Sequence, residues 1–419
     1  MLKKCHAIIN YFVILGPWMA LAGNGIGDIC LVLSSIFIMI QAFIDKEFKS
    51  HILKFEAWKI FFILFMIWGI FSASQSVHPT NSITEILAYI RFPIYLTALT
   101  YWLCKDEKNW NYLIASALAA CIFMAATIFI EKIRYPDRAR LYGTWSQSVK
   151  ANWFFIGYAM LPMLWLFINT DKILSHSFKA TQIASTCLVF TVITAMFVTG
   201  QIYVTLLVIL NTLVIFVVYF FVKSKAIYSF ILFTCLIFTL FIASMLFPDV
   251  LERFQYSLLK RLPWFETSDY NMPMASGLII AKAHWLIGVG PGEYLYTCQQ
   301  MFDFSVDFPH SSRQKCLDHP HNIYIQVFAE TGFIGLVLFA CIVLSFITPI
   351  ILAGFNIIKQ QVSNEVSKSN LVNIALAAST IAFLLFPVST YSQAFGQHLN
   401  YFVFTSIAFA TALYKKTDH

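Results

Sequence analysis

Residues 319–354 read HPHNIYIQVFAETGFIGLVLFACIVLSFITPIILAG and decide the fold class of this chain. A polar start with two histidines is followed by an apolar run long enough to cross a bilayer, which takes roughly 20 residues in a helix. Ionisable groups at such a boundary are costly to bury and are functional candidates by default. The stretch therefore predicts a membrane helix that carries a candidate active site at one end.

Composition extends this reading to the whole chain. The 419 residues are 59% hydrophobic and only 12% charged, with a mean hydropathy of +0.72. A soluble domain carries about 25% charged residues, so the chain belongs to the membrane class, and no nucleic-acid partner is expected. We expect an all-α, polytopic protein with about twelve transmembrane helices. The expected spans are Ala7–Leu21, Ile26–Ile44, Trp58–Ala73, Ile86–Leu103, Tyr112–Ile130, Trp153–Ile168, Thr181–Val198, Ile202–Val222, Ile227–Phe247, Gly332–Gly354, Leu371–Val388 and Tyr401–Tyr414.

The first span could also be a secretory signal, but Pro17 and Trp18 are poor neighbours for cleavage, so an uncleaved span is favoured. Three regions follow from the pattern. Residues 1–247 form a bundle of nine spans, residues 248–320 form a large loop, and residues 321–419 carry the last spans.

Lysine and arginine fall on opposite sides of the membrane in this expected topology. The segments expected on the cytoplasmic side hold most of the lysines, whereas every arginine falls on the opposite face, which places the large loop outside. Arginine binds phosphate well because its planar fork donates two hydrogen bonds at once. Phosphate binding and simple surface charge are both open readings of this segregation. The arginines are Arg91, Arg134, Arg138, Arg140, Arg253, Arg261 and Arg313.

Cys298 and Cys316 both fall in the large loop, whereas most other cysteines lie inside expected spans. In an oxidising compartment two such thiols are placed to form a disulfide, although two free thiols are the alternative. A bridge would tie down the segment that leads into His321.

His321 is the leading catalytic candidate. An imidazole can accept a proton near neutral pH, although a lone interfacial histidine is more often satisfied by a backbone carbonyl. We expect Asn322 to orient the ring and Glu330 to lie near the same face two turns later in the helix. Gly332 and Gly335 are expected to let another helix pack closely. His319 adds a second imidazole, but no convincing third ligand follows, so no metal is expected.

Residues 288–292 read GVGPG. The run lacks the Gly-Lys-Ser/Thr that would follow in a phosphate-binding P-loop, so a tight turn is the preferred reading.

The spacing H-N-x9-G-x-x-G, from His321 to Gly335, resembles the signature of the bacterial O-antigen ligase and O-antigen polymerase superfamily. The GVGPG turn some thirty residues earlier is similar to a turn that these proteins carry before the histidine. Residues 140–144, RLYGT, resemble their R-x-x-G-T stretch. Specific matching is confined to these three places.

The resemblance implies an all-helical, GT-C-like glycosyltransferase that needs no metal or other cofactor. The implied donor is a glycan on undecaprenyl diphosphate, and the implied acceptor is lipid A–core on the periplasmic face of the inner membrane. In that reading His321 is the base, while Arg140, Arg253, Arg261, Asn322 and Glu330 bind substrate. Fixed cationic donors would stabilise the charge that grows on the leaving diphosphate.

Two departures from the family pattern qualify this expectation. Relatives carry an arginine at the turn between the seventh and eighth spans, where this chain has Thr199-Gly200-Gln201. A second family arginine precedes the GVGPG turn, where this chain has residues 270–274, YNMPM. Arg140, Arg253 or Arg261 could substitute, and a catalytically degenerate relative stays open.

Ligase is the preferred function among the members of the group. The alternatives are an O-antigen polymerase and a protein O-oligosaccharyltransferase, which share the motif. A transporter or flippase is disfavoured because the centres of the spans are nearly free of charge. A binding protein descended from the enzyme remains a third class, motivated by the two missing arginines.

Overall fold

The computed structural model describes residues 24–138, 141–143, 154, 161, 164–165, 178–200, 202–223, 226–260, 271–303, 307, 316–359, 365–385 and 397–417. Every regular element within these ranges is a helix, which confirms the all-α expectation for that part of the chain. The expected span Ala7–Leu21, most of Trp153–Ile168, and the two arginines Arg140 and Arg261 lie outside the described residues.

Fifteen helices are described. They are α1 (Asn24–Ile44), α2 (Lys46–Leu53), α3 (Ala57–Ser74), α4 (Pro79–Tyr89), α5 (Arg91–Lys105), α6 (Glu107–Arg134), α7 (Phe178–Val198), α8 (Ile202–Lys223), α9 (Ala226–Leu246), α10 (Pro248–Lys260), α11 (Asn271–Ala283), α12 (Tyr294–Met301), α13 (Ile323–Lys359), α14 (Glu365–Leu384) and α15 (Gln397–Thr417).

Four stretches among the described residues are long and apolar enough to cross a membrane: Ala57–Ser74, Pro79–Lys105, Lys108–Arg134 and Ile323–Lys359. The number rises to six if each of two sharply bent helix pairs, α1 with α2 and α9 with α10, counts as one span. Other expected spans, such as Ile202–Val222 and Tyr401–Tyr414, lie within α8 and α15. The protein therefore has membrane-spanning helices, whereas a count of twelve stays an expectation.

Aromatic side chains form much of the contact between the long helices. Helix α13 packs along α3, where Trp58 stacks on Phe346 and Phe65 meets Phe339, while α15 packs on α5 through Phe92 and Phe404. Because lipid is as apolar as these rings, such close van der Waals packing does most of the work of holding helices together in a bilayer.

At the end of α3 remote from the histidine motif, partly buried charges join distant parts of the chain. Glu56, just before α3, pairs with Lys415 of α15 and lies 3.0 Å from the Lys59 ammonium. Burial by itself would raise the pKa of Glu56, but the hydrogen bond and charge of Lys415, together with Lys59, hold that pKa below its usual value. The pair anchors α15 to the start of α3.

The described part of residues 248–320, expected as a large loop, contains three helices. Helix α10 turns away from α9 by 105°, α11 packs on α13, and α12 packs on α11. Helices α11 and α12 therefore lie against the helix that follows His321, and they support the candidate site.

Candidate active site

The site is organised by a break in α13. Gly332 has φ 68° and ψ −173°, a conformation almost restricted to glycine, and it interrupts the helical hydrogen-bond pattern. Backbone groups set free at such a break must find other partners, since an unsatisfied polar group in an apolar environment costs several kcal/mol. They find these partners in α3 and in the segment between α11 and α12.

Backbone groups on both sides of the break have partners outside α13. The Ala329 carbonyl accepts from the Val289 amide at 2.9 Å, and the Glu330 carbonyl accepts from the Gly290 amide at 2.8 Å. The Phe333 amide donates to the Trp285 carbonyl at 2.7 Å. From α3, the Ser72 hydroxyl donates to the Glu330 carbonyl at 2.9 Å, and the Trp68 indole donates to the Thr331 carbonyl at 2.7 Å.

The GVGPG segment is the turn that makes these contacts. Gly288, Gly290 and Gly292 have φ values of 83°, 104° and 80°, so the segment folds back sharply, in agreement with the preferred reading of its sequence. The turn, rather than a neighbouring helix, packs against Gly332: a Cβ added there would meet the Leu286 carbonyl. The expectation of helix-to-helix packing is met only by Gly335, which lies against Trp68 of α3.

Glu330 is buried in this junction. Its Oε1 accepts from the Gln326 amide at 3.1 Å, and its Oε2 accepts from the Gly292 backbone amide at 3.1 Å. Only 1% of the residue is exposed. Its carboxylate therefore holds the turn against α13, and the geometry favours this structural task over the substrate-binding role expected from the sequence.

His321 lies just outside the helix rather than on its first turn. Helix α13 begins at Ile323, and Asn322 caps it, because the Asn322 side-chain oxygen accepts from the Tyr324 and Ile325 amides at 3.0 and 3.2 Å. Helical spacing therefore does not relate His321 to Glu330, and the Asn322 oxygen caps the helix instead of orienting the imidazole, contrary to our expectation.

The backbone at His321 is left-handed, with φ 55°. A non-glycine residue in this region is held at a cost of roughly 1–3 kcal/mol, and such residues cluster at active sites. The surrounding structure thus fixes the direction in which the half-buried His321 ring points.

The ring is oriented by two preceding side chains. His319 Nδ1 lies 2.9 Å from Oδ1 of Asp318, and His319 Nε2 lies 3.2 Å from Nδ1 of His321. The hydrogen bond from His319 lowers the pKa of Asp318 to about 2, so this carboxylate is ionised at neutral pH and can only accept.

The Asp318 carboxylate, the His319 ring and the His321 ring lie in one row. With the proton of His319 on Nδ1, toward the carboxylate, His319 Nε2 would accept from His321 Nδ1, and the lone pair of His321 would lie on Nε2. In this arrangement of protons, His321 Nε2 is the atom that can act as a base.

A disulfide secures this segment from the other side. Cys298 of α12 is bonded to Cys316, two residues before Asp318. Helix α12 is itself held to α11, since the buried Tyr294 hydroxyl lies 2.9 Å from that of Ser276 and donates to the Pro273 carbonyl. Burial raises the pKa of Tyr294 to about 12, so the phenol remains a neutral donor.

A family model matches the part of the chain that carries these residues. The family model described as O-antigen ligase matches residues 183–340, a segment that contains the GVGPG turn, the Asp318–His321 cluster and the break at Gly332. The resemblance to the O-antigen ligase and polymerase superfamily is confirmed. No curated protein matches the chain.

A second group of contacts lies within the O-antigen ligase match, at the turn between α7 and α8. Arg253 of α10 donates from Nε to the Gly200 carbonyl at 3.1 Å. On the other side, the Leu141 amide donates to the Thr199 carbonyl at 3.1 Å. An arginine from another helix thus reaches the turn at which this chain lacks the arginine of the family pattern.

The chain near this turn carries further charges. Glu131 of α6 accepts from the Tyr142 and Gly143 amides at 3.1 and 2.8 Å, and it pairs with Arg138 at 3.2 Å. Lys132 pairs with Asp249 of α10 at 2.6 Å. These bonds hold the 141–143 segment and α10 close to the end of α6. Arg140 and Arg261, the other two arginines considered as substitutes, lie outside the described residues.

Sequence reasoning missed the roles of Asp318 and His319. The signal was present in the run Asp318-His319-Pro320-His321, but the two histidines were weighed only as metal ligands. Among the described residues, no group of three His, Cys, Asp or Glu side chains is arranged to hold a metal ion. The docking of the 288–292 turn onto the α13 break was also missed, because the contact joins residues some forty positions apart.

Proposed function

We propose that this protein is a glycosyltransferase of the O-antigen ligase type, acting at the outer face of the bacterial inner membrane. It would move a glycan from undecaprenyl diphosphate to a hydroxyl of lipid A–core. The single observation that carries the proposal is the row of Asp318, His319 and His321, which places the His321 imidazole next to a carboxylate–histidine pair. The family match to residues 183–340 supports the class of reaction.

In the proposed reaction His321 Nε2 accepts the proton of the acceptor hydroxyl as that oxygen attacks the anomeric carbon of the donor. The bond between the anomeric carbon and the diphosphate oxygen breaks, and its electron pair leaves with undecaprenyl diphosphate. The proton on His321 is later released to solvent or to the leaving diphosphate. Asp318 and His319 are positioning residues, and they stabilise the positive charge on the protonated ring.

We assign Arg253 to the diphosphate. Its Nε donates to the Gly200 carbonyl, which places a guanidinium, the side chain best suited to phosphate, at the turn between α7 and α8. In this proposal the missing family arginine at Thr199–Gly200 is replaced by one from α10, which argues against a degenerate relative.

The test is transfer by the full-length protein in lipid nanodiscs, with a glycan on undecaprenyl diphosphate as donor and purified lipid A–core as acceptor. His321→Ala should lower kcat by about 100-fold or more, the contribution of general base catalysis. His319→Ala should have a smaller effect, about tenfold, because only the orientation of the base is lost. The matched control is His284→Ala, an exposed histidine after α11. Full activity in His321→Ala would refute the assignment.

The nearest alternative is an O-antigen polymerase, which shares the motif. A polymerase would use a second undecaprenyl-linked glycan as acceptor, whereas a ligase requires lipid A–core. Supplying each acceptor alone separates the two: elongation of the lipid-linked glycan without lipid A–core would replace ligase by polymerase in this proposal. A protein acceptor would be indicated if neither lipid acceptor is used.

A further inference from the structure

A polar cleft of about 570 Å³ opens on the opposite side of the 288–292 turn from Glu330, between the start of α4 and helix α12. The chemistry at His321 uses none of its side chains. Its polar lining includes His78, Asn81, Glu85, Glu293, Tyr296 and Gln299. Its volume falls within the roughly 300–1,000 Å³ that is usual for a small-molecule site.

Several of these side chains are held in fixed positions. Glu293 is only 5% exposed, and its Oε2 lies 2.9 Å from Nδ1 of His78. The His78 ring in turn meets the Tyr296 ring edge-on, with the ring centres 4.3 Å apart. On the cleft wall the Ser82 hydroxyl donates to the Pro291 carbonyl at 2.8 Å, which fixes α4 to the turn. A site built in this way is largely formed before a ligand arrives.

The chemistry of the lining suits a sugar. Carboxylates accept from sugar hydroxyl groups, amide side chains both accept and donate, and the Tyr296 ring is an aromatic surface on which the C–H groups of a pyranose can pack. The lining residues described include no lysine or arginine, while they do include Glu85 and Glu293. A diphosphate is therefore a poor fit, since its charge would meet carboxylates without a compensating cation.

The cleft is also mechanically joined to His321. Gly292, which forms part of the cleft wall, donates its amide to Glu330 Oε2 at 3.1 Å. Helix α12, which carries Tyr296 and Gln299, is tied by the disulfide to Cys316. The cleft and the segment that presents His321 therefore share one rigid support.

We propose that this cleft between α4 and α12 is a saccharide subsite, which holds sugar rings of one substrate while its reacting group lies at His321. The inference rests on the proposed glycosyl transfer for its biological meaning, but binding of a sugar to the cleft can be measured without turnover. The ligand class is a neutral oligosaccharide, supplied either by the acceptor core or by the donor glycan.

The first measurement is binding of two soluble probes to the full-length protein in nanodiscs: core oligosaccharide released from lipopolysaccharide, and a free O-antigen repeat oligosaccharide. Tyr296→Ala should raise the Kd of one probe about tenfold, equivalent to about 1.4 kcal/mol. Gln299→Ala should raise it about threefold, and because this side chain is exposed its loss leaves the fold intact. The matched control is Gln300→Ala, an exposed neighbour on the same helix that does not line the cleft.

The probe that responds identifies the substrate held in the cleft. If both probes bind Tyr296→Ala and Gln299→Ala as tightly as the parent protein, or if neither binds the parent protein, the inference is overturned.

Transfer kinetics separate this inference from the proposed function. Cleft variants should raise KM for the substrate that the binding assay identifies and leave kcat nearly unchanged, unlike His321→Ala. Cleft-dependent binding by a protein that transfers no glycan would refute the proposed function and leave the saccharide subsite standing. Normal transfer with unchanged KM for both substrates in the cleft variants would refute the subsite and leave the proposed function standing.

Discussion

Replacing Gly332 with alanine should open the junction on which the candidate site depends. Two effects add. The backbone at φ 68° and ψ −173° is almost restricted to glycine, so an alanine held there costs roughly 1–3 kcal/mol. In addition, the new Cβ would meet the Leu286 carbonyl and push the segment 285–290 away from α13.

The size of the second effect follows from the bonds that this movement would break. Three backbone hydrogen bonds cross the junction, from Val289 to Ala329, from Gly290 to Glu330 and from Phe333 to Trp285. Each contributes about 0.5–1.5 kcal/mol, and together with the backbone strain the loss is about 2.5–7.5 kcal/mol. The junction should therefore open locally about a hundred times more often than in the parent protein, or more.

Hydrogen exchange of the protein in nanodiscs, followed by mass spectrometry, measures how often this junction opens. The amides of Val289, Gly290 and Phe333 should lose at least a hundredfold of protection in Gly332→Ala. Gly354→Ala is the matched control, because this helical glycine of α13 has only the Ile374 side chain near its Cβ position, at 3.3 Å. Unchanged protection of all three amides in Gly332→Ala would refute the reasoning.

Four further predictions concern the support of His321 and the diphosphate. Asp318→Asn should move the acid limb of the kcat profile to lower pH, because removing a carboxylate near the base disfavours its protonated form; an unmoved limb contradicts the role. Since the folded-state pKa of Asp318 is lowered to about 2, its pairing should also stabilise the fold above pH 4 and cease to do so as pH falls toward 2, which acid unfolding of parent and variant would show. Arg253→Ala should raise the donor KM about 10- to 100-fold and Arg253→Lys only partly restore it, because lysine lacks the planar fork; equal kinetics of all three proteins would remove Arg253 from the site. Replacing Cys298 and Cys316 together with serine should cost about 3 kcal/mol for a bridge over 18 residues, seen as a lower unfolding temperature and faster exchange at 316–322, and an unaltered temperature would count against the bridge.

The membrane class of the protein could be predicted from the sequence because hydropathy is a local property of the chain. An apolar run of about twenty residues must become a helix in lipid, where no water can satisfy the backbone. The runs at Trp58–Ala73, Tyr112–Ile130 and Gly332–Gly354 accordingly lie in helices long enough to span. The GVGPG turn could be predicted for a similar reason, since glycine and proline set the backbone conformation at their own positions.

The functional residues could be predicted only in part from the sequence. His321 stands out in its motif, but its partners depend on where α13 begins, and helix ends are poorly set by sequence periodicity. Because Asn322 caps the helix, His321 lies outside it and, contrary to our expectation, does not share a helical face with Glu330. The ring instead turns toward His319, through a left-handed backbone that no spacing rule predicts.

The sequence by itself therefore determined the membrane class, the all-α architecture of the described part and the resemblance to the O-antigen ligase superfamily, and it made His321 the candidate base. Only the tertiary structure decided what surrounds that residue: the row of Asp318, His319 and His321, why Glu330 is buried under the turn, and how Arg253 reaches the turn at Gly200. The physical reason is distance along the chain. Hydropathy and turn preferences act within a few residues, whereas these contacts join segments brought together only when the helices pack.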